Sequence, residues 1–126
     1  MTDSILIIEG EPSLSKELSS ALTEAGFLAD CVSSYFEALS MLDKFKPDMA
    51  IVDEVLQWDN GIEVCCQLRS NFGIPVILLG EDSSDEMWER VMEAEIDLYQ
   101  VKPFSYAALV ARVKAILRRY KKRRGL

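Results

Sequence analysis

The chain contains no histidine, which excludes catalysis by an imidazole and metal sites built on histidine ligands. Cysteine is scarce, and the odd number of residues (Cys31, Cys65 and Cys66) without a CxxC spacing argues against a disulfide framework or a zinc site. Because Cys65 and Cys66 are adjacent, they cannot share one face of a helix. We interpret all three as reduced thiols.

Long hydrophobic runs are also missing. No apolar run approaches the roughly 18 to 20 residues that a membrane-spanning helix needs. The first residues show neither the basic nor the apolar segment of a secretory signal, so we expect a cytoplasmic protein without membrane contact. The 126 residues fit one domain, and 49% hydrophobic with 28% charged residues is ordinary for a globular protein.

The charge is unevenly distributed along the chain. Six of the 14 basic residues lie from Arg118 to Arg124, so residues 1–117 hold eight basic and 21 acidic residues, a net charge of −13. Because an acidic body repels phosphates, we expect no nucleic-acid binding by this domain itself. The basic end is typical of a helix C-terminus that continues into a linker, with a nucleic-acid patch as the alternative. We therefore expect a domain over residues 1–120, followed at 121–126 by a basic tail or the start of a linker to an output domain.

Short apolar runs alternate with segments of helical periodicity along the whole chain. The runs at 4–8, 27–32, 49–52, 75–79 and 98–101 predict five strands, and each is followed by a predicted helix. Such an alternation predicts an α/β protein with a parallel sheet covered by helices on both faces, a doubly wound three-layer sandwich.

Two of the predicted helices have recognisable caps and apolar faces. The second is expected to begin after Ser34 and to bury a face formed by Phe36, Ala38, Leu39, Leu42 and Phe45. The fourth is expected to be capped by Ser84 or Asp85 and to bury Met87, Val91 and Met92.

Charged residues follow the predicted strands. Strand one ends in Glu9-Gly10-Glu11, strand three in Asp53-Glu54, strand four in Gly80-Glu81 and strand five in Lys102-Pro103. The carboxyl ends of parallel strands meet at one edge of the sheet, where ligands bind. An aspartate there can act as a nucleophile toward phosphate, neighbouring carboxylates can hold Mg²⁺, and a lysine can stabilise the developing charge. The cluster therefore indicates phosphoryl transfer to a carboxylate.

Four separated segments carry a resemblance to a known family. They are ILIIEGEP (residues 5–12), KPDMAIVDEVLQWDNGIEVCCQLR (46–69), IPVILLGE (74–81) and DLYQVKPFSYAALVARVKAILRR (97–119). In order and spacing they resemble the CheY-like receiver domains of bacterial two-component response regulators. The last segment is most similar to the OmpR/PhoB-type subfamily, which carries a C-terminal DNA-binding domain.

The resemblance implies a flavodoxin-like (βα)5 fold with strand order 2-1-3-4-5, and a signalling module rather than an enzyme. It implies a histidine kinase or another signalling protein as partner, and control of an output through protein contacts, which in this subfamily is transcription. Asp53 matches the phosphoacceptor and Lys102 the phosphate-binding lysine. Glu9, Asp53 and the backbone carbonyl of Val55 match metal ligands, and Tyr99 matches the aromatic switch residue.

Two glycines depart from the family pattern. Gly10 stands where the family has a second acidic residue, and Gly80 where it has a threonine or serine that binds the phosphoryl group. Because glycine supplies no side-chain oxygen, we expect a Mg²⁺ site that is weak or absent. We favour an atypical receiver that signals with little or no phosphate over a conventional phosphorylation switch. An unrelated flavin- or nucleotide-binding domain is a third hypothesis, although the chain lacks a glycine-rich phosphate loop.

The resembling subfamily dimerises through its fourth helix, fifth strand and fifth helix. On that surface we expect Trp88, Glu93, Arg112 and Lys114, with Glu93 and Lys114 able to retain one cross-subunit ion pair. An apolar Trp88 in place of a charged residue favours a homodimer that forms without phosphate. We also predict that Tyr99 is decoupled from the chemistry at Asp53, because Gly80 has no side chain that could move the ring.

Overall fold

The computed structural model describes residues 2–123 and residue 125. Within these residues, five strands alternate with five helices. In chain order they are β1 (Ser4–Ile8), α1 (Pro12–Glu24), β2 (Leu28–Val32), α2 (Tyr35–Leu42), β3 (Met49–Asp53), α3 (Gly61–Phe72), β4 (Val76–Gly80), α4 (Asp85–Glu93), β5 (Leu98–Val101) and α5 (Tyr106–Arg123). Arg124 and Leu126, at the end of the predicted basic tail, lie outside the described residues.

The strands form one parallel sheet in the order β2-β1-β3-β4-β5, which confirms the predicted fold class. Every residue of β1, β3 and β4 is buried, as expected for strands covered on both faces. Alternate side chains of these strands enter two separate cores. One core lies beneath α2, α3 and α4, and the other beneath α1 and α5.

Side-chain caps mark where several helices begin, and they satisfy backbone N–H groups that have no partner within the helix. The Ser34 hydroxyl accepts a hydrogen bond from the N–H of Glu37, and Asn60 accepts from two N–H groups at the start of α3. The cap of α4 is Ser84 rather than Asp85, since its hydroxyl accepts from the N–H of Met87.

Three apolar residues expected in the core are exposed. Phe36 and Leu39 on α2 are 80% and 41% exposed, while Ala38 and Leu42 are buried. Residues two positions apart in the sequence, such as Phe36 and Ala38, differ by about 200° around the helix axis. Phe36 therefore faces away from the stripe that Ala38 and Leu42 form. Met92 on α4 is likewise exposed, because the core-facing stripe of this helix runs through Met87 and Val91.

The last helix continues beyond the predicted domain end at residue 120. Lys121 on α5 forms an ion pair with Asp3 at 2.7 Å. One residue earlier, the Tyr120 hydroxyl donates to Oδ1 of Asp97, whose Oδ2 accepts from Arg69 and from the N–H of Val76. These contacts hold the end of α5 against the sheet. No helix in the described part of the chain is long and apolar enough to cross a membrane.

Glu95 adopts a left-handed backbone conformation, with φ at 55°. It follows the last turn of α4, where the N–H of Glu95 donates to the carbonyl of Met92 and the N–H of Ile96 to that of Val91. Glycine is the usual residue at such a helix end, because a Cβ atom destabilises the left-handed region. Glu95 is thus a local source of backbone strain.

We expect Glu95→Gly to stabilise the fold. Relief of the left-handed strain yields about 1–2 kcal/mol, and the greater chain entropy of unfolded glycine offsets about 0.5–1 kcal/mol. The net gain in the free energy of unfolding, about 0.5–1 kcal/mol, can be measured by urea denaturation. Glu95→Ala is the matched control, since it removes the same charge but keeps the Cβ atom. Equal stability of the glycine and alanine variants would contradict the prediction.

Candidate functional site

Backbone hydrogen bonds beyond the strand ends bring the charged residues to one edge of the sheet. The N–H of Glu9 donates to the Val32 carbonyl at 3.0 Å. The N–H of Glu54 donates to the carbonyl of Leu79 at 2.7 Å, and that of Lys102 to the carbonyl of Gly80 at 2.8 Å. The residues that follow β1, β3 and β5 are thereby each bonded to the end of a neighbouring strand.

Asp53 lies at the centre of this edge and is only 4% exposed. Its Oδ2 atom is 2.5 Å from Nζ of Lys102, and its Oδ1 atom accepts a hydrogen bond from the N–H of Val55 at 2.9 Å. Lys102 comes from the turn after β5, where the Lys102–Pro103 peptide bond is cis. The predicted phosphoacceptor and the predicted phosphate-binding lysine are therefore in direct contact.

The electrostatic surroundings keep this pair charged. Burial alone would raise the pKa of Asp53, but hydrogen bonds with Glu9, Lys102 and the N–H of Val55 lower it below its usual value. Burial would lower the pKa of Lys102, but its hydrogen bond and charge interaction with Asp53 raise it. A buried carboxylate with a cationic partner is available as a nucleophile at neutral pH.

Glu9 is in a different state from Asp53. Burial, followed by the hydrogen bond to Asp53, raises the pKa of Glu9 to about 8. Its Oε1 atom accepts a hydrogen bond from the N–H of Glu11 at 3.0 Å, whereas its buried Oε2 atom has no donor among the residues that the structure describes. The side chain of Glu11 is turned toward the hydroxyl of Ser13. Glu9 therefore shares the edge with Asp53 as a carboxyl group that holds its proton near neutral pH.

The two glycines have opposite surroundings. Gly10 is exposed, and a Cβ atom placed on it would meet no heavy atom within 4 Å in the described chain, its two neighbours aside. Gly80 is buried, and a Cβ atom there would lie 2.6 Å from Oε2 of Glu54 and 2.6 Å from the hydroxyl oxygen of Tyr99. A side chain can thus be added at Gly10 without displacement of its surroundings, but not at Gly80.

Tyr99, the predicted switch residue, is 4% exposed and points into the core beneath α4. Its hydroxyl donates a hydrogen bond to the backbone carbonyl of Asp82 at 2.6 Å. The edge of the Trp88 ring packs against it, with ring centroids 5.0 Å apart. Burial and the neighbouring carboxylates of Glu54 and Asp82 raise the pKa of Tyr99 to about 12, so the hydroxyl remains a donor.

An open cleft of about 440 Å³ lies above Asp53, and Gly10, Gln57 and Trp58 contribute to its lining. Trp58 is 77% exposed, so it borders the cleft without covering it. The loop that carries it returns closely to the end of β3, where a Cβ atom on Gly61 would lie 2.6 Å from Cα of Glu54. Only glycine fits at this approach.

The donors at this edge fit Mg²⁺ poorly. Glu9, Asp53 and the Val55 carbonyl would supply oxygen ligands, and Mg²⁺ commonly uses one or two carboxylates together with water. However, Lys102 occupies Oδ2 of Asp53, and Glu9 must lose its proton before it can bind a cation. No three Asp, Glu, His or Cys side chains come together as a metal site in residues 2–123 and 125.

The surface between α4, β5 and α5 is a second feature of interest. Trp88 and Arg112 line the same groove, together with exposed Met92. Lys114 lines a different groove, near Asp3 and Phe27, on another side of α5. The structure thus brings together two of the four residues expected on a dimer face. Glu93 is exposed at the end of α4, beside Met92, and Lys114 is separate from both.

Comparison with known proteins decides the family. The sequence model of the protein family called response regulator receiver domain matches residues 5–114 of this chain. The chain belongs to this family. A receiver domain of the Francisella response regulator 1452 has the same fold, with a TM-score of 0.87 at 25% identity, and the match covers 95% of this chain and 100% of that one.

The relatives of this receiver domain include longer regulators. The transcriptional activator protein IrlR of Burkholderia pseudomallei is 40% identical over 117 residues, which cover 91% of this chain and 50% of the relative. The DNA-binding response regulator MtrA of Mycolicibacterium smegmatis is 34% identical over 119 residues, which cover 94% of this chain and 52% of the relative. The chain thus spans about half the length of these relatives.

Glu54 and the carbonyl of Asp82 were not predicted as site residues. Glu54 is half-buried beside Gly80, and burial, together with the charge of Asp82, raises the pKa of its carboxyl group. The sequence did carry one signal of this arrangement. A glycine at the end of a fully buried strand leaves a volume that a neighbouring side chain can fill.

The state of Glu9 makes the stability of the domain depend on pH. Its pKa rises from 4.5 in an exposed chain to about 8 in the folded one, so the folded state favours the protonated carboxyl group. This contribution is complete below pH 4.5 and is lost as the pH rises through 8. With EDTA present, we expect the free energy of unfolding to fall with pH relative to Glu9→Gln, by up to about 1.4 kcal/mol per pH unit.

Urea denaturation across this pH range measures the difference. Glu11→Gln is the matched control, because it neutralises an exposed carboxylate two residues away and should follow the natural chain. Parallel pH curves for the natural chain and Glu9→Gln would show that Glu9 is ionised in the folded domain.

Proposed function

We propose that this receiver domain is atypical and regulates its output through protein contacts that depend little on a phosphoryl group at Asp53. The observation that carries the proposal is the open space at Gly10: among residues 2–123 and 125, its two neighbours aside, no heavy atom lies within 4 Å of the position where a side chain would begin. The adjacent carboxylates do not compensate, since Glu9 holds a proton and Glu11 bonds to Ser13.

The two missing side chains are expected to weaken the binding of phosphate and Mg²⁺ strongly. One hydrogen bond to a charged group contributes roughly 1.5–3 kcal/mol. Loss of the hydroxyl that the family has at the position of Gly80 would therefore weaken the phosphorylated state about 10- to 150-fold. Loss of a carboxylate ligand from the Mg²⁺ site at Gly10 adds to this effect, so Mg²⁺ is expected to bind weakly through Glu9, Asp53 and Val55.

A conventional phosphorylation switch is the second candidate, and the geometry around Asp53 favours it. The buried carboxylate is ionised and in contact with Lys102, and the N–H of Val55 points at its Oδ1 atom. In that reading, an oxygen of Asp53 attacks the phosphorus of a phosphohistidine on a kinase, and the histidine leaves. Lys102 would then stabilise the charge on the transferred group.

The output is expected to be transcription. The matched relatives are named as a transcriptional activator and a DNA-binding response regulator, and each is about twice as long as the matched region. We infer that this domain controls such an output domain without nucleic-acid contacts of its own, consistent with its acidic body. A histidine kinase or another signalling protein would be the upstream partner.

We further propose a homodimer through the groove between α4, β5 and α5. Met92 is 76% and Trp88 40% exposed there, and Arg112 borders the same groove, where its guanidinium bonds to Gln100. Exposed apolar side chains with a charged rim are typical of protein interfaces. Because Lys114 lines another groove, the proposed dimer does not rest on a Glu93–Lys114 pair.

Phosphorylation can be tested by mass spectrometry after incubation with acetyl phosphate and Mg²⁺. We expect a small fraction of the natural chain to gain a phosphoryl group and Gly10→Asp to gain at least about 10-fold more, since the new carboxylate restores one charged ligand. Asp53→Asn provides the control for the site of modification.

Gly10→Asn is the matched control for charge, because it adds a side chain of the same size without a carboxylate. Equal and extensive modification of the natural chain and Gly10→Asp, at the same low Mg²⁺ concentration, would support the conventional switch instead.

The dimer can be tested by light scattering at about 100 μM, within the range of weak interfaces. We expect a dimer whose mass is unchanged by Asp53→Asn, and a monomer for Met92→Glu, because dimerisation would have to remove the new charge from water. Phe36→Glu is the matched control, since Phe36 is equally exposed on α2, away from the groove. A monomeric natural chain would refute this interface.

A further inference from the structure

Gly80 is enclosed by side chains from two different directions. Oε2 of Glu54 and the hydroxyl oxygen of Tyr99 would each lie 2.6 Å from a Cβ atom on Gly80, and Cε1 of the Tyr99 ring would lie at 3.0 Å. Non-bonded carbon atoms pack no closer than about 3.5 Å at their optimum. The two side chains therefore occupy the volume in which a side chain of residue 80 would stand.

The inward position of Tyr99 is satisfied without any group on Asp53. Its hydroxyl donates to the Asp82 carbonyl, its ring is 4% exposed, and Trp88 packs against it edge to face. The raised pKa of Tyr99 keeps the hydroxyl a donor throughout the physiological range. None of these contacts involves Asp53 or Lys102.

An outward position would remove several of these interactions at once. The ring would leave the core that it shares with Met87 and Val91, and a cavity would open beside Gly80, which has no side chain to fill it. Cavities in a packed core are unfavourable because the surrounding side chains relax only partly. The carbonyl of Asp82 would also lose its donor within the protein.

We propose that Gly80 holds Tyr99 inward and thereby fixes the surface formed by Trp88, Tyr99 and loop 81–84 in a single conformation, whatever the state of Asp53. This inference rests on the proposed function, because Gly80 is one of the two departures behind it. It concerns a separate step, however: the transmission of a signal to the partner surface rather than the acceptance of phosphate. A partner that binds this surface meets the same structure at all times.

The two tryptophans of the chain report on the two steps separately. Trp58 borders the cleft above Asp53, and Trp88 contacts the ring of Tyr99. In protein labelled with 5-fluorotryptophan, ¹⁹F NMR gives one signal for each, and Trp58→Phe assigns them. Mg²⁺ with beryllofluoride serves as the probe for phosphate acceptance, and the bound probe has its own ¹⁹F signal.

For the natural chain we expect a single Trp88 signal that does not shift when Mg²⁺ and beryllofluoride are added. For Gly80→Ser we expect a displaced or doubled Trp88 signal without any ligand, because the new side chain must push Tyr99 or Glu54 aside. Gly10→Ser is the matched control, since the same side chain enters open space there and should leave the Trp88 signal in place. If Gly80→Ser does not fold, as judged by circular dichroism, the double variant Gly80→Ala/Glu54→Ala takes its place. In that variant the new Cβ atom meets only the ring and hydroxyl of Tyr99.

An unchanged Trp88 signal in the Gly80 variants would overturn the inference, and so would a Trp88 shift in the natural chain when the probe binds. The proposed function fails separately, if the natural chain binds beryllofluoride as tightly as Gly10→Asp does. A natural chain that binds the probe as tightly as Gly10→Asp does, while the Trp88 signal stays in place, would support the inference and refute the impaired site. If the natural chain binds no probe, the inference is tested by the Trp88 signals of Gly80→Ser and Gly10→Ser, because that comparison requires no ligand.

Discussion

Burial of β1, β3 and β4 on both faces is the constraint on which the site depends. Strands that are covered on both sides cannot carry a charged residue except where they end, so the acidic groups gather at one edge of the sheet. There, Asp53 is stabilised by Lys102 from the turn after β5, and the ion pair fixes the position of that turn. The same burial keeps Glu9 protonated, so two neighbouring carboxyl groups differ in charge at neutral pH.

The fold was predictable from the sequence because its signals are long and repeated. Five apolar runs, each followed by helical periodicity, gave the strands and helices to within a few residues, and the family resemblance supplied the strand order. The errors fell where periodicity alone had to choose a face. Phe36 and Met92 are apolar but lie outside the core-facing stripes, and the short helices α2 and α4 constrain the choice weakly.

The candidate site was only partly predictable. The contact between Asp53 and Lys102 follows from residues at strand ends, whose neighbours in space are set by the sheet order. By contrast, the role of Glu54 depends on how side chains fill the volume beside Gly80, and the groove that Lys114 lines depends on the rotation of α5 about its axis. A residue missing from a motif is visible in a sequence, but the atoms that fill its place are not.

The filled volume at Gly80 also restricts how the sequence of this domain can change. A mutation that adds a side chain at position 80 meets Glu54 and Tyr99 at once, so it is unfavourable as a single step. Oε2 of Glu54 is the end of a flexible side chain and can move aside, whereas the ring of Tyr99 is buried and has less freedom to move. The effect of a side chain at position 80 therefore depends on the residues at positions 54 and 99, and mutations at these three positions are expected to be non-additive.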